Sequence, residues 1–314
     1  MELRQPIMIV CAGRSGSTMY YRLIARHRDV GWLSTWNDTV PSQVWLTLFS
    51  NLYGTRTFDK VKHSYVFPKP FSTYRFWERY LPGIARHDRP LVPEDVPDES
   101  IEPLRRTITK VLQYQGKTRF LMKVTGWARM AFFDRIFPGM VFIHLKREPI
   151  AIVSSWLKAG WLNVTGDLDS ENWDWGEVPD EYREIWRDLG RGGVLSAAVK
   201  TQLDIDDIRR NVAQFPGRCY ELNYEDLVVE PIEYMRETLE FCGLDWSQDF
   251  EDVINSAGIR DYSDRWKQQL PSEDADRILA FFERVAALKA PVKSKIRRPS
   301  YIKDSTESVS LPQY

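Results

Sequence analysis

The sequence predicts an α/β fold: a central, mainly parallel sheet covered by helices on both faces. Two observations carry this expectation. Short apolar runs rich in β-branched residues alternate along the chain with stretches of helical periodicity. The first such run, "PIMIV", leads through a small-residue loop, "CAGRSGST" (Cys11 to Thr18), into the helical pattern "MYYRLIARH". A loop of that kind between a buried strand and a helix is where α/β proteins bind phosphate.

In chain order, Pro6 to Ala12 reads as the first strand and Ser17 to His27 as the first helix. Residues 30 to 90 are mixed. Within them "PSQVWLTLFSNLYG" predicts a helix opened by Pro41, and "FPKPFSTYRFWERYLPG" is aromatic and basic, broken by Pro68, Pro70 and Pro82. "ESIEPLRRTITKVLQYQG" has the pattern of an amphipathic helix ended by Gly116. "RFLMKV" predicts a strand, "GWARMAFFDRIFPG" a helix stopped by Pro138 and Gly139, and "MVFIHLK" a further strand. "PIAIVSSWLKAG" predicts a helix with Pro149 in its first turn, followed by a polar, Trp-rich loop. A long helical stretch runs from about Asp180 to Gln214, with a break at Gly190, Gly192 and Gly193. "RCYELN" reads as a strand, "PIEYMRETLEFCGL" as a helix ending at Gly243, and "SEDADRILAFFERVAAL" as a helix with Ser272 and Asp274 near its start. With no internal repeat and no linker, the expected organisation is one domain over 1–289, with cleft-lining insertions at about 34–90 and 159–180. A basic, then polar tail over 290–314 is expected to be poorly ordered.

Composition sets the outer limits. The chain has 314 residues, 43% hydrophobic and 28% charged, which is the profile of an ordinary globular protein. Lys and Arg number 43 against 44 Asp and Glu, which argues against bulk nucleic-acid binding and leaves room for a local basic cleft. Cys11, Cys219 and Cys242 form neither a CxxC pair nor a Cys/His cluster, so neither zinc nor a disulfide framework is expected, and a reducing cytoplasm fits best. The apolar run at the N-terminus is too short for a signal segment, and no stretch approaches the roughly 20 apolar residues of a membrane helix. Of the 12 tryptophans, Trp36, Trp45, Trp77, Trp161, Trp173 and Trp175 fall in loop-like or mixed segments, where aromatics line ligand clefts. Oligomeric state is not written in any of these features.

What the first loop can hold follows from its residues. Gly16-Ser17-Thr18 aligns with the end of the pattern G-x-x-x-x-G-K-[ST], but Cys11 stands at its first Gly and Ser17 at its Lys. That Lys contacts the β- and γ-phosphates of a nucleoside triphosphate, so a kinase with a degenerate loop is the poorer reading. Freed backbone N–H groups, a helix N-terminus and the fixed guanidinium of Arg14 suit a less charged anion that needs no metal. A second segment, "HLKREPIAIVSSW", places Arg147 at the end of a strand and Ser155 eight residues on, in the helix opened by Pro149. Arg147 and Ser155 can converge on one phosphate there. A nucleotide with phosphates at both its 5′ and 3′ ends would satisfy both sites. Each motif has a plain alternative. Ser15 to Thr18 would also serve as a helix cap, and Arg147 as an ion-pair partner of Glu148.

Together, "GRSGST" and "KREPIAIVSSW" resemble the sulfotransferases that use 3′-phosphoadenosine 5′-phosphosulfate, a family with a three-layer, P-loop-like α/β fold. "LNYEDLVVEPIEYMRETLEFCGL" is similar to the family's Y-E-D-L…P…L-x-F-L-G-L stretch, and "DRWKQQL" to an R-W…L element of its bacterial members. The pieces occur in family order from residue 7 to about 270. The resemblance implies that Arg14, Ser15, Gly16, Ser17 and Thr18 hold the 5′-phosphosulfate, with Arg14 stabilising charge on the bridging oxygen. It implies that Arg147 and Ser155 hold the 3′-phosphate, with Arg265 a further candidate, and that Tyr224 contacts the adenine. Met19 stands where cytosolic members stack a Trp on that base. The implied cofactor is 3′-phosphoadenosine 5′-phosphosulfate, its product adenosine 3′,5′-bisphosphate, and no metal is required. The acceptor would be a small molecule, a sugar or a lipid. Many members carry K-[ST]-P where Lys123 stands, facing the sulfuryl group or the acceptor; here Val124, Thr125 and Gly126 follow instead.

The resemblance gives less for the base that takes the acceptor's proton. Bacterial and Golgi-type members use a Glu about twenty residues past the loop, and "GWLSTWNDTVPS" contains none. Asp38 is its carboxylate and the first candidate; its alternative is to cap the helix expected near Pro41. His63 is the second candidate, with a solvated surface position as its alternative. A non-catalytic nucleotide-binding module on the same scaffold is the remaining reading.

Overall fold

The computed structural model describes residues 3–55, 64, 66–160, 167–171 and 173–289. His63 and the 290–314 tail therefore lie outside the described residues. Among the described residues five parallel strands form one sheet: β1 (Arg4–Cys11), β2 (Val30–Gly31), β3 (Arg119–Thr125), β4 (Val141–Lys146) and β5 (Cys219–Asn223). Their spatial order is β2-β3-β1-β4-β5. After β1 the chain runs to the sheet edge at β2, fills in β3 between β2 and β1, then crosses back to add β4 and β5 on the other side. The order therefore reverses beside β1, which is where open α/β sheets bind ligands at the carboxyl ends of their strands.

The residues explain the burial. Ile7 to Cys11 are all fully buried, because both faces of a parallel strand are covered. Side chains alternate across it. Met8, Val10 and Ala12 pack with α4 (Asp98–Gln115), α5 (Met130–Ile136) and α6 (Pro149–Lys158). Ile7, Ile9 and Cys11 pack with α1 (Ser17–Ile24), α10 (Pro231–Phe241) and α11 (Gln248–Asn255) on the other face. The three-layer α/β expectation is thus met. The helical stretch expected after Asp180 is two helices, α7 (Asp180–Asp188) and α8 (Gly193–Val212), separated at the predicted glycines. They build a third apolar cluster with α13 (Ser272–Lys289), through Trp186, Leu195, Ala198, Ile278 and Phe281.

The structure departs from the sequence reading in residues 30 to 90. A short helix, α2 (Thr35–Thr39), precedes the segment read as a helix opened by Pro41. That segment is instead a 3₁₀ helix over Val44–Gly54, and its buried residues Thr47, Ser50 and Tyr53 explain the difference. They recur every third residue, which is the period of a 3₁₀ helix. The aromatic segment holds α3 (Tyr74–Tyr80). Beyond β5 come α9 (Tyr224–Val229) and, later, α12 (Trp266–Gln269). No helix among the described residues is long and apolar enough to cross a membrane.

Candidate active site

The loop after β1 is shaped by two left-handed residues, Arg14 (φ 73) and Gly16 (φ 82), the second being the N-cap of α1. Gly16 is required twice over. Its φ disfavours a side chain, and a Cβ there would lie 2.5 Å from the Tyr224 ring. At Gly13 a Cβ would lie 3.1 Å from Trp156, so the loop also rests closely on α6. Ser15 is buried and its hydroxyl donates to the Ala12 carbonyl (2.8 Å), so the side chain ties the loop together and leaves its backbone N–H for a ligand. Ser17 is buried and its hydroxyl bonds to the Cys11 thiol, which burial pushes up to about 11.

The second motif meets the first directly. Arg147 leaves the end of β4 and donates to the Arg14 carbonyl (2.9 Å) and to the Tyr262 carbonyl (2.9 Å). Its guanidinium lies over the Tyr224 ring, 4.5 Å from the centroid. Burial lowers its pKa, and the buried Nε has no hydrogen-bond partner among the described residues. Ser155, on α6, accepts a hydrogen bond from Arg14 Nε (3.0 Å). Two motifs 133 residues apart thus form one connected cluster.

This cluster opens on a cleft of about 960 Å³ at the carboxyl ends of β1, β3 and β4. Arg14, Gly16, Ser17, Thr18, Lys123, Arg147, Ser155, Tyr224 and Arg265 all line it, as does Met19. Ser15 contributes only through its position in the loop. Lys123, on β3, donates to the Thr18 hydroxyl (3.0 Å); burial lowers its pKa, the nearby Cys11 raises it, and Arg22 and Arg14 lower it further. Sequence reasoning missed Lys158, Arg260 and Tyr262, which also line the cleft, as does Trp266 of the R-W…L element. The segment "GIRDYSDRW" held a signal in its paired arginines and aromatics, but no periodicity tied it to the two motifs.

The first candidate base is not brought to this cleft. Asp38 lies in α2, and its carboxylate accepts the backbone N–H of Arg75 (2.9 Å) in the first turn of α3. It is absent from the residues that line the cleft. The capping alternative is the one the geometry supports, although for α3 and not for a helix near Pro41. The N-cap of α3, Thr73, makes no side-chain capping bond, and Asp38 supplies the missing acceptor from outside the helix.

A second, more apolar cavity of about 360 Å³ adjoins the cleft and shares Gly13, Tyr74 and Thr125 with it. Trp127, Trp156 and Trp175 line it, together with His87, Arg129, Lys200 and Asp204. The His87 ring stacks on Trp175 at 4.7 Å. Lys200 and Asp204 are buried on α8 and form an ion pair one helical turn apart. The charged pair in "SAAVKTQLD" was visible in the sequence, but its helix was not placed against the site.

A parallel sheet whose β1 and β4 loops converge on a cleft beside its switch point has the architecture in which open α/β folds bind ligands. The comparisons make the class particular. Residues 6–248 match the model of the sulfotransferase family, and the chain belongs to that family. Omega-hydroxy-beta-dihydromenaquinone-9 sulfotransferase Stf3 of Mycobacterium tuberculosis is 27% identical over 185 residues, 56% of this chain and 42% of that protein. An uncharacterized protein of Aquifex aeolicus is 59% identical over 120 residues, 35% of this chain and 12% of its own length. The chain thus spans less than half of the curated relatives it matches. Among solved structures, sulfotransferase STF9 from Mycobacterium avium superposes with a TM-score of 0.55 at 13% identity, over 92% of this chain and 77% of that one. The sulfotransferase domain from the curacin biosynthetic pathway gives 0.50 at 12% identity, over 90% and 99%. At such identities the likeness is one of fold.

Proposed function

We propose that this chain transfers a sulfuryl group from 3′-phosphoadenosine 5′-phosphosulfate to a hydroxyl of a small-molecule or lipid acceptor. The single observation that carries the reading is the contact between the two anion motifs, Arg147 to the Arg14 carbonyl and Arg14 to Ser155. It supports one ligand with two phosphoryl groups on a compact nucleoside. In this reading the backbone N–H groups of residues 15–18 and the Arg14 guanidinium hold the 5′ end. The buried Arg147 Nε, Ser155 and Arg265 hold the 3′-phosphate. Tyr224 acts mainly as a spacer, since Gly16 approaches its ring closely and Arg147 covers the ring.

Charge in such a displacement spreads over the three sulfuryl oxygens, so catalysis rests on positioning and on fixed donors. Lys123 supplies a buried ammonium beside Thr18, where that charge develops. The apolar side cavity, opening at Gly13, Tyr74 and Thr125, suits an apolar acceptor better than a sugar. The hydroxylated isoprenoid quinone in the name of the Stf3 relative is of that chemical kind.

Calorimetric titration with adenosine 3′,5′-bisphosphate, set against ATP with magnesium, tests the reading. Bisphosphate is expected to bind much more tightly, and EDTA to leave its binding unchanged. Arg147→Ala is expected to weaken it by roughly 10- to 100-fold, the worth of one charge-assisted hydrogen bond of about 1.5–3 kcal/mol, and Ser155→Ala by roughly 10-fold. Equal affinity for ATP, or a loss confined to one of the two variants, would overturn the two-phosphate assignment.

A further inference from the structure

Among the described residues that line the cleft there is no carboxylate, yet an acceptor hydroxyl needs somewhere to send its proton. We propose that Asp204, held by Lys200 in the wall of the apolar side cavity, is the base, and that the acceptor hydroxyl is carried on a flat apolar ring. The proposal rests on the sulfuryl-transfer reading above.

The position comes first. Asp204 lines the side cavity whose walls include Gly13 of the 5′ loop and Thr125 at the end of β3. Its Oδ1 faces the next residue, Gly126: a Cβ there would lie 3.8 Å from Oδ1 and 3.9 Å from Lys200 Nζ. Gly126 in turn donates its N–H to the Cys11 carbonyl (3.1 Å), so this carboxylate stands beside the strand end that begins the 5′ loop. Lys200 occupies Oδ2, while no donor reaches Oδ1 among the described residues. A carboxylate oxygen in a cavity wall that lacks a donor is an acceptor for a ligand's hydroxyl.

The chemistry comes second. Lys200 Nζ lies 4.8 Å from the centroids of both Trp156 and Trp175, and Asp204 is at the other side of it. Burial lowers the Lys200 pKa, while the Asp204 carboxylate and the two tryptophan rings favour the charged ammonium. Lys200, bonded to Oδ2, is a positioning residue that fixes the rotamer of Asp204 and leaves Oδ1 turned to the cavity. Trp127, Trp156 and Trp175 make the walls largely apolar, and the cavity volume of about 360 Å³ admits a flat ring of modest size. The acceptor oxygen forms its bond to sulfur as the bond from sulfur to the bridging oxygen breaks. The electron pair leaves on the nucleotide phosphate, the hydroxyl proton goes to Asp204 Oδ1, and it is released to water after product departs.

The test compares two phenols with purified full chain at about pH 8.5, where 4-nitrophenol is ionised and 4-ethylphenol is not. A base is needed for the second and not for the first. Asp204→Asn is expected to lower kcat/KM for 4-ethylphenol at least 100-fold and that for 4-nitrophenol by less than 5-fold. Because Asp204→Asn leaves Lys200 beside a neutral partner, the double variant Lys200→Met/Asp204→Asn is measured in parallel and is expected to show the same selectivity. Equal losses on both phenols in both variants would make the pair structural and overturn the proposal. Bisphosphate binding with transfer to neither phenol by the wild-type chain would overturn it too, while the nucleotide reading stood. Failure to bind bisphosphate would remove both.

Discussion

At the scale of single residues, Gly16 shows how tightly the 5′ loop is specified. Its positive φ and its approach to Tyr224 are separate constraints, and substitution meets both. The left-handed backbone costs a side chain about 1–2 kcal/mol. Overpacking against the ring adds about 1–3 kcal/mol, because Tyr224 is itself pinned beneath Arg147. Gly16→Ala is therefore expected to lose about 2–5 kcal/mol in denaturant unfolding and at least tenfold in bisphosphate affinity. Gly83 is the control, since its φ is 84 and no atom would meet a Cβ within 4 Å. Gly83→Ala should show the backbone cost alone and leave the affinity unchanged. Equal destabilisation by the two would remove the close approach to Tyr224 from the account. Ser15 makes a related point. Its sequence position marked it as part of the loop, but the partner of its hydroxyl, the Ala12 carbonyl, was not legible.

At the scale of elements, the strands and the long helices were legible because burial on both faces and period-3.6 patterns leave strong local signals. The strands at β1, β3, β4 and β5 and the break between α7 and α8 all follow from such signals. The segment over 44–54 did not, since a period of three is too close to 3.6 over eleven residues to separate by eye. The place of Asp38 was not legible for a different reason. A carboxylate in a loop carries no mark of what it will accept from, and the Arg75 N–H that claims it is 37 residues away. Asp38→Ala is expected to cost about 1 kcal/mol of stability, the worth of a lost helix-end acceptor. Bisphosphate affinity should be unchanged, and turnover should fall by no more than a few-fold. A 100-fold loss of turnover in a variant with an unchanged melting temperature would return Asp38 to the chemistry. The Lys200–Asp204 pair was hidden at this scale as well. Spacing of four residues in a helix reads as an ordinary ion pair, and only the packing of α8 against α6 brings it beside the 5′ loop.

At the scale of the whole molecule, the sheet order decides what the motifs can do together. The loops after β1 and β4 meet because those strands are neighbours, although more than a hundred residues separate them. A third segment, over 257–269, completes the cleft from beyond the sheet, with Tyr262 accepting from Arg147. A ligand that bridges all three should slow their opening together, because each then opens only when the ligand leaves. Hydrogen exchange with and without adenosine 3′,5′-bisphosphate measures this. Residues 12–18, 147–155 and 257–269 are expected to gain protection in parallel as the nucleotide is titrated, with one midpoint. Inorganic phosphate is expected to protect no more than one of the three at matched occupancy. At a concentration of about 100 times its dissociation constant, the bisphosphate should stabilise the fold by about 2.7 kcal/mol. Protection confined to residues 12–18 would mean that the 5′ loop binds alone, and the adjacency of β1 and β4 would then be a property of the fold without a role in recognition.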